Sequence, residues 1–129
     1  MSVRGAFSDA ELNVLHAGAF GHEVLATPWN RRVAENSLTW IVVRSGNELV
    51  GFINVLGDGG VHAAVLDLCV AAPFQGRGLG RALVEAAARE AKQLGCHWLH
   101  ADYERDLVPF YEGSCGMRPT AAGLLKLFD

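Results

Sequence analysis

Three glycines at alternate positions, in Gln75-Gly-Arg-Gly-Leu-Gly80, separate an apolar segment from an alanine-rich one. The first segment, residues 62–70, is apolar nearly throughout, which is typical of a central β-strand covered on both faces. The second, residues 79–94, has the pattern of a strong helix, and it ends before Gly95, a residue type that commonly follows a helix. The sequence therefore predicts a strand that leads into a helix through a glycine-rich loop.

This loop has the composition of an anion-binding site. Alternate glycines remove three side chains, so successive backbone N–H groups can bind one anion. The helix that begins there adds unpaired amides and the positive end of its dipole. The ligand that fits best is a phosphate or a pyrophosphate. The glycines can instead form only a tight turn, but a turn needs one such residue, and here three are accompanied by Arg77 and Arg81.

Two common phosphate-binding motifs do not fit the loop. A P-loop ends in Gly-Lys-Ser/Thr, and here Arg81-Ala82 occupies that place. A dinucleotide-binding loop has the pattern G-x-G-x-x-G, but counting from Gly76 puts Arg81 at the third glycine. Both alternatives therefore disagree with the residues that are present.

The segments that precede the loop predict helices followed by antiparallel strands. Ser8-Asp-Ala-Glu11 has the spacing of a capping box and begins a helix that extends to about Phe20. Residues 29–36 are a second, short helix candidate. Residues 39–43 and 49–56 are β-branched and apolar, and the turn residues between them predict a hairpin that continues into the strand at residues 62–70.

The segments that follow the loop complete a layered domain. After the helix at residues 79–94, the pattern predicts a strand at residues 97–102, a short helix at 108–113 and a last short strand at 124–128. This order predicts an α/β fold: one domain over residues 1–129, with a mixed central sheet flanked by helices.

Composition and charge exclude several classes of protein. Of the 129 residues, 50% are hydrophobic and the net charge is −3, which indicates one real core and no broad cationic surface for nucleic acid. No apolar run approaches the roughly 20 residues that span a bilayer, and no signal pattern begins the chain. We therefore expect a cytoplasmic protein that binds neither nucleic acid nor membrane.

The residue types that commonly bind metals show no metal-site spacing. Cys69, Cys96 and Cys115 are odd in number and lie among apolar or small residues, which favours reduced thiols used as small hydrophobic side chains. The five histidines show no i, i+4 pair and no shared cluster in the sequence. We expect no metal site.

Two motifs resemble the general amine N-acetyltransferase (GNAT) superfamily. Gln75, Gly78 and Gly80 meet the fixed positions of its acetyl-CoA motif, Q/R-x-x-G-x-G/A, and Pro109-Phe-Tyr-Glu-Gly-Ser-Cys-Gly-Met117 is similar to its F/L-Y-x-x-x-G-F signature. The resemblance covers roughly residues 38–129, whereas residues 1–37 match only as helix-rich sequence. Because this N-terminal portion is short, the first strand of the family fold is expected to be vestigial or missing.

The resemblance implies an acetyl-CoA-dependent N-acetyltransferase that acts directly on a primary amine of a small molecule or peptide. The pantetheine arm would lie along the strand that ends at Val70, the loop amides would bind the pyrophosphate, and Tyr111 would be the general acid. The implied cofactor contacts are Leu68, Cys69, Val70, Gln75, Gly76, Arg77, Gly78, Leu79, Gly80 and Arg81.

Asp67 is the second candidate catalytic residue. Simple strand alternation places it on the same face as Val65 and Cys69, opposite to Leu66 and Leu68. A charge in a buried strand is unfavourable without a partner or solvent. Two interpretations stay open: a carboxylate that receives the amine proton, or a buried carboxylate that holds a loop or a helix N-terminus.

Other functions remain open at this point. A non-catalytic acyl-CoA-binding or sensing domain would share the same loop, but it would need neither Tyr111 nor Asp67. An interaction module that has lost its ligand would not need Gln75 or the intact glycines. His22-Glu23 in the first loop is either part of an acceptor pocket or ordinary surface, and dimerisation through residues 124–128 is a further expectation.

Overall fold

A computed structural model describes all 129 residues. The chain forms a five-stranded sheet with helices on both faces. The strands lie in chain order across the sheet: β1 (Ser2–Val3), β2 (Ser37–Ser45), β3 (Glu48–Gly57), β4 (His62–Val70) and β5 (Trp98–His100). The first four pair in antiparallel fashion, and β5 is parallel to β4. The predicted mixed α/β sheet is confirmed.

The helices cover the two faces of the sheet separately. Helices α1 (Asp9–Phe20) and α2 (Trp29–Asn36) lie on one face and α3 (Leu79–Gln93) on the other. Buried side chains form two clusters, one on each face: the α1 face has Leu12, Trp29, Val33, Phe52 and Cys69, and the α3 face has Ile53, Val65, Leu83, Ala87 and Tyr111. Helix α3 packs closely on the sheet, since a Cβ on Gly51 of β3 would lie 3.2 Å from Leu83. None of the helices combines the length and the hydropathy needed to cross a membrane.

The N-terminal portion is short but contributes to the sheet. β1 has only two residues, and it pairs with β2 at Ile41 and Val42, so the vestigial first strand is present. The predicted capping box is confirmed, because Glu11 N donates to Ser8 Oγ (3.1 Å) and Ser8 N donates to Glu11 Oε2 (2.7 Å). Arg44 of β2 also binds Glu11, and this hydrogen bond lowers the pKa of Glu11 to about 2. These contacts fix α1 against the sheet.

The C-terminal segment differs from its prediction. Residues 115–129 contain no helix or strand, so the last strand expected at residues 124–128 is wrong. Leu124, Leu125, Leu127 and Phe128 are 80–87% exposed. An apolar pattern makes a strand only where an edge accepts it, and β5 offers three residues instead of the six expected. Dimerisation through this segment stays a prediction.

Candidate active site

The strands β4 and β5 diverge and leave an open edge on β4. They pair only between His62–Ala64 and Trp98–His100, whereas β4 continues to Val70. Residues 65–70 therefore have no strand beside them on that side. This edge of β4 is available for an extended ligand that adds to the sheet.

The backbone groups that face this edge belong to Leu68 and Val70. Ala71 N donates to Val50 O on the β3 side (2.8 Å), and backbone groups alternate along a strand, so Leu68 and Val70 face the opposite side. The side chain of Gln75 agrees, because its Nε2 donates to Val70 O at 2.9 Å. Gln75 thus connects the end of the open edge to the glycine-rich loop.

The loop presents a run of unpartnered amides. The first helical bond runs from Ala82 N to Gly78 O (3.0 Å), and the N–H groups of residues 76–81 donate to no acceptor within the protein. Gly76 (φ 75°) and Gly78 (φ 81°) adopt the left-handed conformation, which costs glycine little and other residues more. Because α3 begins at Leu79, these amides coincide with the positive end of its dipole. The site fits an anion.

Gly80 has a different role from the other two glycines. A Cβ at this position would lie 3.2 Å from two ring atoms of Phe110, so the missing side chain lets α3 pack against the π-helical segment Pro109–Ser114. Arg81 pairs with Glu85 at 2.8 Å across an exposed turn of α3. The Arg77 guanidinium lies 5.6 Å from the Phe74 ring. The contact of Gly80 with Phe110 therefore joins the loop directly to the segment that carries Tyr111.

Tyr111 lies on the α3 face with its hydroxyl unengaged. The residue is buried in the cluster against which Leu68 and Val70 also pack, and its ring stacks on Tyr103 at 4.7 Å. Its hydroxyl makes no hydrogen bond within the protein. Burial raises the pKa of Tyr111, and the nearby Cys115 adds to this effect. The phenol therefore stays protonated at neutral pH and can donate a proton.

Asp67 lies in a β-bulge, which corrects the predicted alternation. The β3–β4 register changes from Asn54 opposite Leu66 to Phe52 opposite Cys69, so Asp67 and its successor both lie opposite a single residue of β3. Asp67 itself has a φ of 57°. The extra residue moves the later side chains to the other face. Asp67 and Cys69 therefore face α1, and the prediction that Val65 shares this face is wrong.

Both carboxylate oxygens of Asp67 have partners. Oδ1 lies 3.2 Å from Nε2 of His16 on α1, and Oδ2 accepts a hydrogen bond from Asn54 Nδ2 at 3.2 Å. Asn54 in turn accepts from Ser37 Oγ. The side chain of Asp67 remains 24% exposed. The two partners offset the unfavourable free energy of partly burying the charge. The exposed part of the side chain stays accessible to a substrate.

Cys69 contributes little side-chain chemistry to this edge. It is buried on the α1 face, and its Sγ donates to Asp67 O at 3.2 Å. Burial, with a smaller effect of the Asp67 charge, raises the pKa of Cys69 to about 12. The thiol is therefore neutral, and all three cysteines are free.

Four of the five histidines form two pairs in space, which the sequence did not indicate. His16 Nδ1 lies 2.8 Å from His22 Nε2, and His62 Nδ1 lies 2.7 Å from His100 Nε2. These pairs could not be read from the sequence because the partners are separated by 6 and 38 residues, spacings that match no helical i, i+3 or i, i+4 neighbour. No group of three or more histidine, cysteine or acidic residues could hold a metal ion.

Comparison with known proteins establishes the family. The model of the acetyltransferase (GNAT) family matches residues 10–117, which includes the open edge, the glycine-rich loop and Tyr111. The chain belongs to the GNAT family of acetyltransferases.

The individual relatives are distant. The chain is 29% identical over 68 residues to the uncharacterized N-acetyltransferase ycf52 of Pyropia yezoensis, a match that covers 53% of this chain and 39% of that protein. A Staphylococcus aureus probable acetyltransferase has a TM-score of 0.79 at 19% identity, covering 99% of this chain and 98% of that one. Glucosamine-6-phosphate N-acetyltransferase of Arabidopsis thaliana has a TM-score of 0.78 at 22% identity, with the same coverage. These two structures support the fold alone.

Proposed function

We propose that this protein transfers the acetyl group of acetyl-CoA to a primary amine of a small molecule or peptide. The observation that carries the proposal is the continuity of the open β4 edge, residues 65–70, with the unpartnered amides of residues 76–81. The open edge can pair with the amides of a pantetheine arm, and the loop amides can bind a pyrophosphate. A single ligand with both groups in that order fits both features.

The acid and the base approach this edge from opposite faces of the sheet. Tyr111 belongs to the cluster on the α3 face, and Asp67 faces α1. When bound, acetyl-CoA supplies the acyl group and a thiolate leaving group. The N–H groups of Leu68 and Val70 can stabilise a developing oxyanion at the edge. Tyr111 donates a proton to the leaving sulfur, and Asp67 lies on the side where an amine must lose one.

The loop between α1 and α2 is the proposed acceptor side. His22 and Glu23 lie in this loop, and His22 is linked through His16 to Asp67. Phe20, Val24 and Leu25 of the same region are 49–60% exposed. This combination suits an acceptor that carries a cationic amine on an apolar body.

The experiment is an acceptor screen that follows the release of free thiol from acetyl-CoA by the purified protein. The panel includes arylalkylamines, polyamines, lysine peptides, aminoglycosides and glucosamine 6-phosphate. We expect amine-dependent release with at least one class and a mass increase of one acetyl group on the acceptor. Acetyl-CoA binding without release for any amine would instead support a non-catalytic acyl-CoA sensor.

Substitution of Gly78 tests the pyrophosphate site. Gly78→Val adds a branched side chain at φ 81° among the free amides, so we expect loss of the thermal stabilisation by acetyl-CoA. In the wild type a ligand at 100 times its dissociation constant should add about 2.7 kcal/mol to the free energy of unfolding. The measurement is a thermal melt of each protein with and without acetyl-CoA.

Gly59 provides a matched control for that substitution. It also has a φ of 81° and open space around the Cβ position, but it lies in the β3–β4 hairpin, away from the loop. Gly59→Val therefore imposes the same backbone strain and should keep the acetyl-CoA shift. A full acetyl-CoA melting shift in Gly78→Val would mean that the pyrophosphate binds elsewhere.

A further inference from the structure

A chain of hydrogen-bonding groups leads from the active-site strand to solvent. Asp67 Oδ1 lies 3.2 Å from His16 Nε2, and His16 Nδ1 lies 2.8 Å from His22 Nε2. His22 Nδ1 then lies 2.6 Å from the backbone oxygen of Glu23. Along this path the side chains change from partly buried at Asp67 and His16 to exposed at His22.

The identity of the end groups fixes the number of protons in this chain. The Glu23 carbonyl can only accept, so His22 Nδ1 carries a proton and, in a neutral ring, Nε2 accepts. His16 Nδ1 must then donate to His22. An ionised Asp67 also only accepts, so His16 Nε2 must carry a second proton. All three hydrogen bonds can form at once only when the two imidazole rings and the carboxylate together hold one extra proton. The reference is the state in which both rings are neutral and Asp67 is ionised.

We propose that Asp67, His16 and His22 form a proton relay that carries the proton of the acceptor amine to solvent. The inference rests on the proposed function, because it assigns a path to the proton that acetyl transfer releases. Asp67 is the entry point, since it lies in the bulge beside the open edge. His22 is the exit, since it is the exposed member.

The proton balance of the relay is simple. The unloaded relay takes H⁺ from R–NH₃⁺ and leaves R–NH₂, and the new proton resides between Asp67 and His16. The His16 Nδ1 proton then moves to His22 Nε2, the doubly protonated and exposed His22 releases its Nδ1 proton to water, and both rings return to the Nδ1–H form before the next turnover. No redox partner and no metal takes part. Histidine suits this role because its ordinary pKa lies near neutrality.

Aromatic side chains pack around His16. Phe20 of α1 and Trp29 of α2 pack against its ring at 4.4 and 5.3 Å between centroids. The Arg32 guanidinium lies 5.0 Å from the Trp29 ring. Asp67 is the only carboxylate that contacts the pair. The polar side chains that contact His16 are therefore Asp67 and His22.

The second histidine pair is a built-in control. His62 and His100 have a 2.7 Å nitrogen–nitrogen distance, ring centroids 5.0 Å apart and an interplanar angle of 46°. For His16 and His22 the corresponding values are 2.8 Å, 5.0 Å and 48°. Neither ring forms an ion pair with a carboxylate, and Asp58 Oδ1 accepts only from the His62 backbone N–H, at 3.3 Å. The two pairs thus differ in the carboxylate, because only the His16–His22 pair has one next to a ring nitrogen.

Nitrogen-15 NMR of the histidine side chains tests the relay without any acceptor. As the pH is lowered, we expect the second proton to enter at His16, which gives His22 as the Nδ1–H form and His16 with both nitrogens protonated. Asp67→Asn should remove the second proton of His16, while His62 and His100 keep their signals. A His22 protonated on Nε2 alone, or a second proton that appears on His16 equally in Asp67→Asn, would overturn the relay.

Kinetics of His22→Gln tests its use in the reaction. Glutamine can still accept from His16 and donate to Glu23 O, but it cannot carry a proton. We expect kcat at neutral pH to fall at least about tenfold, less than the 10²–10⁴-fold typical of losing the acid–base group itself. Added imidazole should restore part of the rate, and His100→Gln should match the wild type.

The outcomes separate the relay from the proposed function. If His22→Gln turned over normally, or if its lower rate did not respond to imidazole, the relay would be overturned while acetyl transfer stood. If the NMR pattern were as expected but no amine were acetylated, the proposed function would fail, and with it the use of the relay in catalysis.

Discussion

Replacing Tyr111 with phenylalanine should lower kcat by about 10²–10⁴-fold and leave the affinity for acetyl-CoA nearly unchanged. The hydroxyl makes no hydrogen bond within the protein, so its removal leaves no partner unsatisfied. The ring keeps its stacking on Tyr103 and its packing in the α3-face cluster. We therefore expect a stable variant that binds acetyl-CoA and releases thiol slowly. The measurement is kcat with a good acceptor, together with the acetyl-CoA melting shift.

The adjacent Tyr103 supplies the control. Its hydroxyl donates to Glu112 Oε2 at 2.9 Å, and this hydrogen bond raises the pKa of Tyr103. Tyr103→Phe removes an equivalent oxygen from the stacked pair, and it should change kcat by only a few-fold. If Tyr111→Phe behaved in the same way, Tyr111 would be a core residue and another group would protonate the leaving sulfur.

The pH dependence follows from the environment of Tyr111. Burial raises the pKa of Tyr111 above the ordinary tyrosine value of about 10. Because the acid form is the protonated phenol, its function is complete at lower pH and is lost only as the pH rises through that raised value. The wild-type rate should therefore show no decline from this group below about pH 10. A decline near neutrality would point to a different acid.

The fold was largely predictable because its signals are local. The capping box at Ser8, the turn residues between β2 and β3, and the alanine-rich α3 each specify an element through short-range patterns. The segment at residues 124–128 has the same kind of apolar pattern, but a strand also needs a partner edge, and a local pattern carries no information about one. This is why the last strand was predicted incorrectly, whereas β5 is present but shorter than predicted.

The candidate site also combines features that local sequence patterns reveal with features that depend on the tertiary structure. The glycine-rich loop and Tyr111 lie in continuous motifs, so the sequence indicated them, although the packing role of Gly80 against Phe110 required the tertiary structure. The β-bulge at Asp67 depends on the register with β3, and strict alternation cannot reveal it. The contact of His16 with Asp67 joins residues 51 positions apart. One signal was present in the sequence: aspartate is among the few non-glycine residues that favour a positive φ.

Substitution of Asp67 by asparagine should lower kcat most strongly near neutral pH, by about 10²–10⁴-fold, with folding and acetyl-CoA binding retained. Asparagine accepts the φ of 57° as readily as aspartate does, and Asn54 can invert its amide against Ser37 to keep the hydrogen bond. The charge and the basicity are lost, so a cationic amine arrives with no group to take its proton. The matched measurement is a pH–rate profile of both proteins on one acceptor, with their melting temperatures.

Raising the pH should restore part of the rate of Asp67→Asn, because an amine with an ordinary pKa of about 10.4 is then increasingly neutral before it binds. The wild type should gain less over the same range, so the two profiles should converge. If Asp67 and His22 act as one unit, adding His22→Gln to Asp67→Asn should cost little more than Asp67→Asn alone, since effects within one unit do not add. Parallel pH profiles, or a variant that melts early and does not slow, would make Asp67 a structural residue of the bulge. Additive losses in the double variant would separate His22 from the path of the proton.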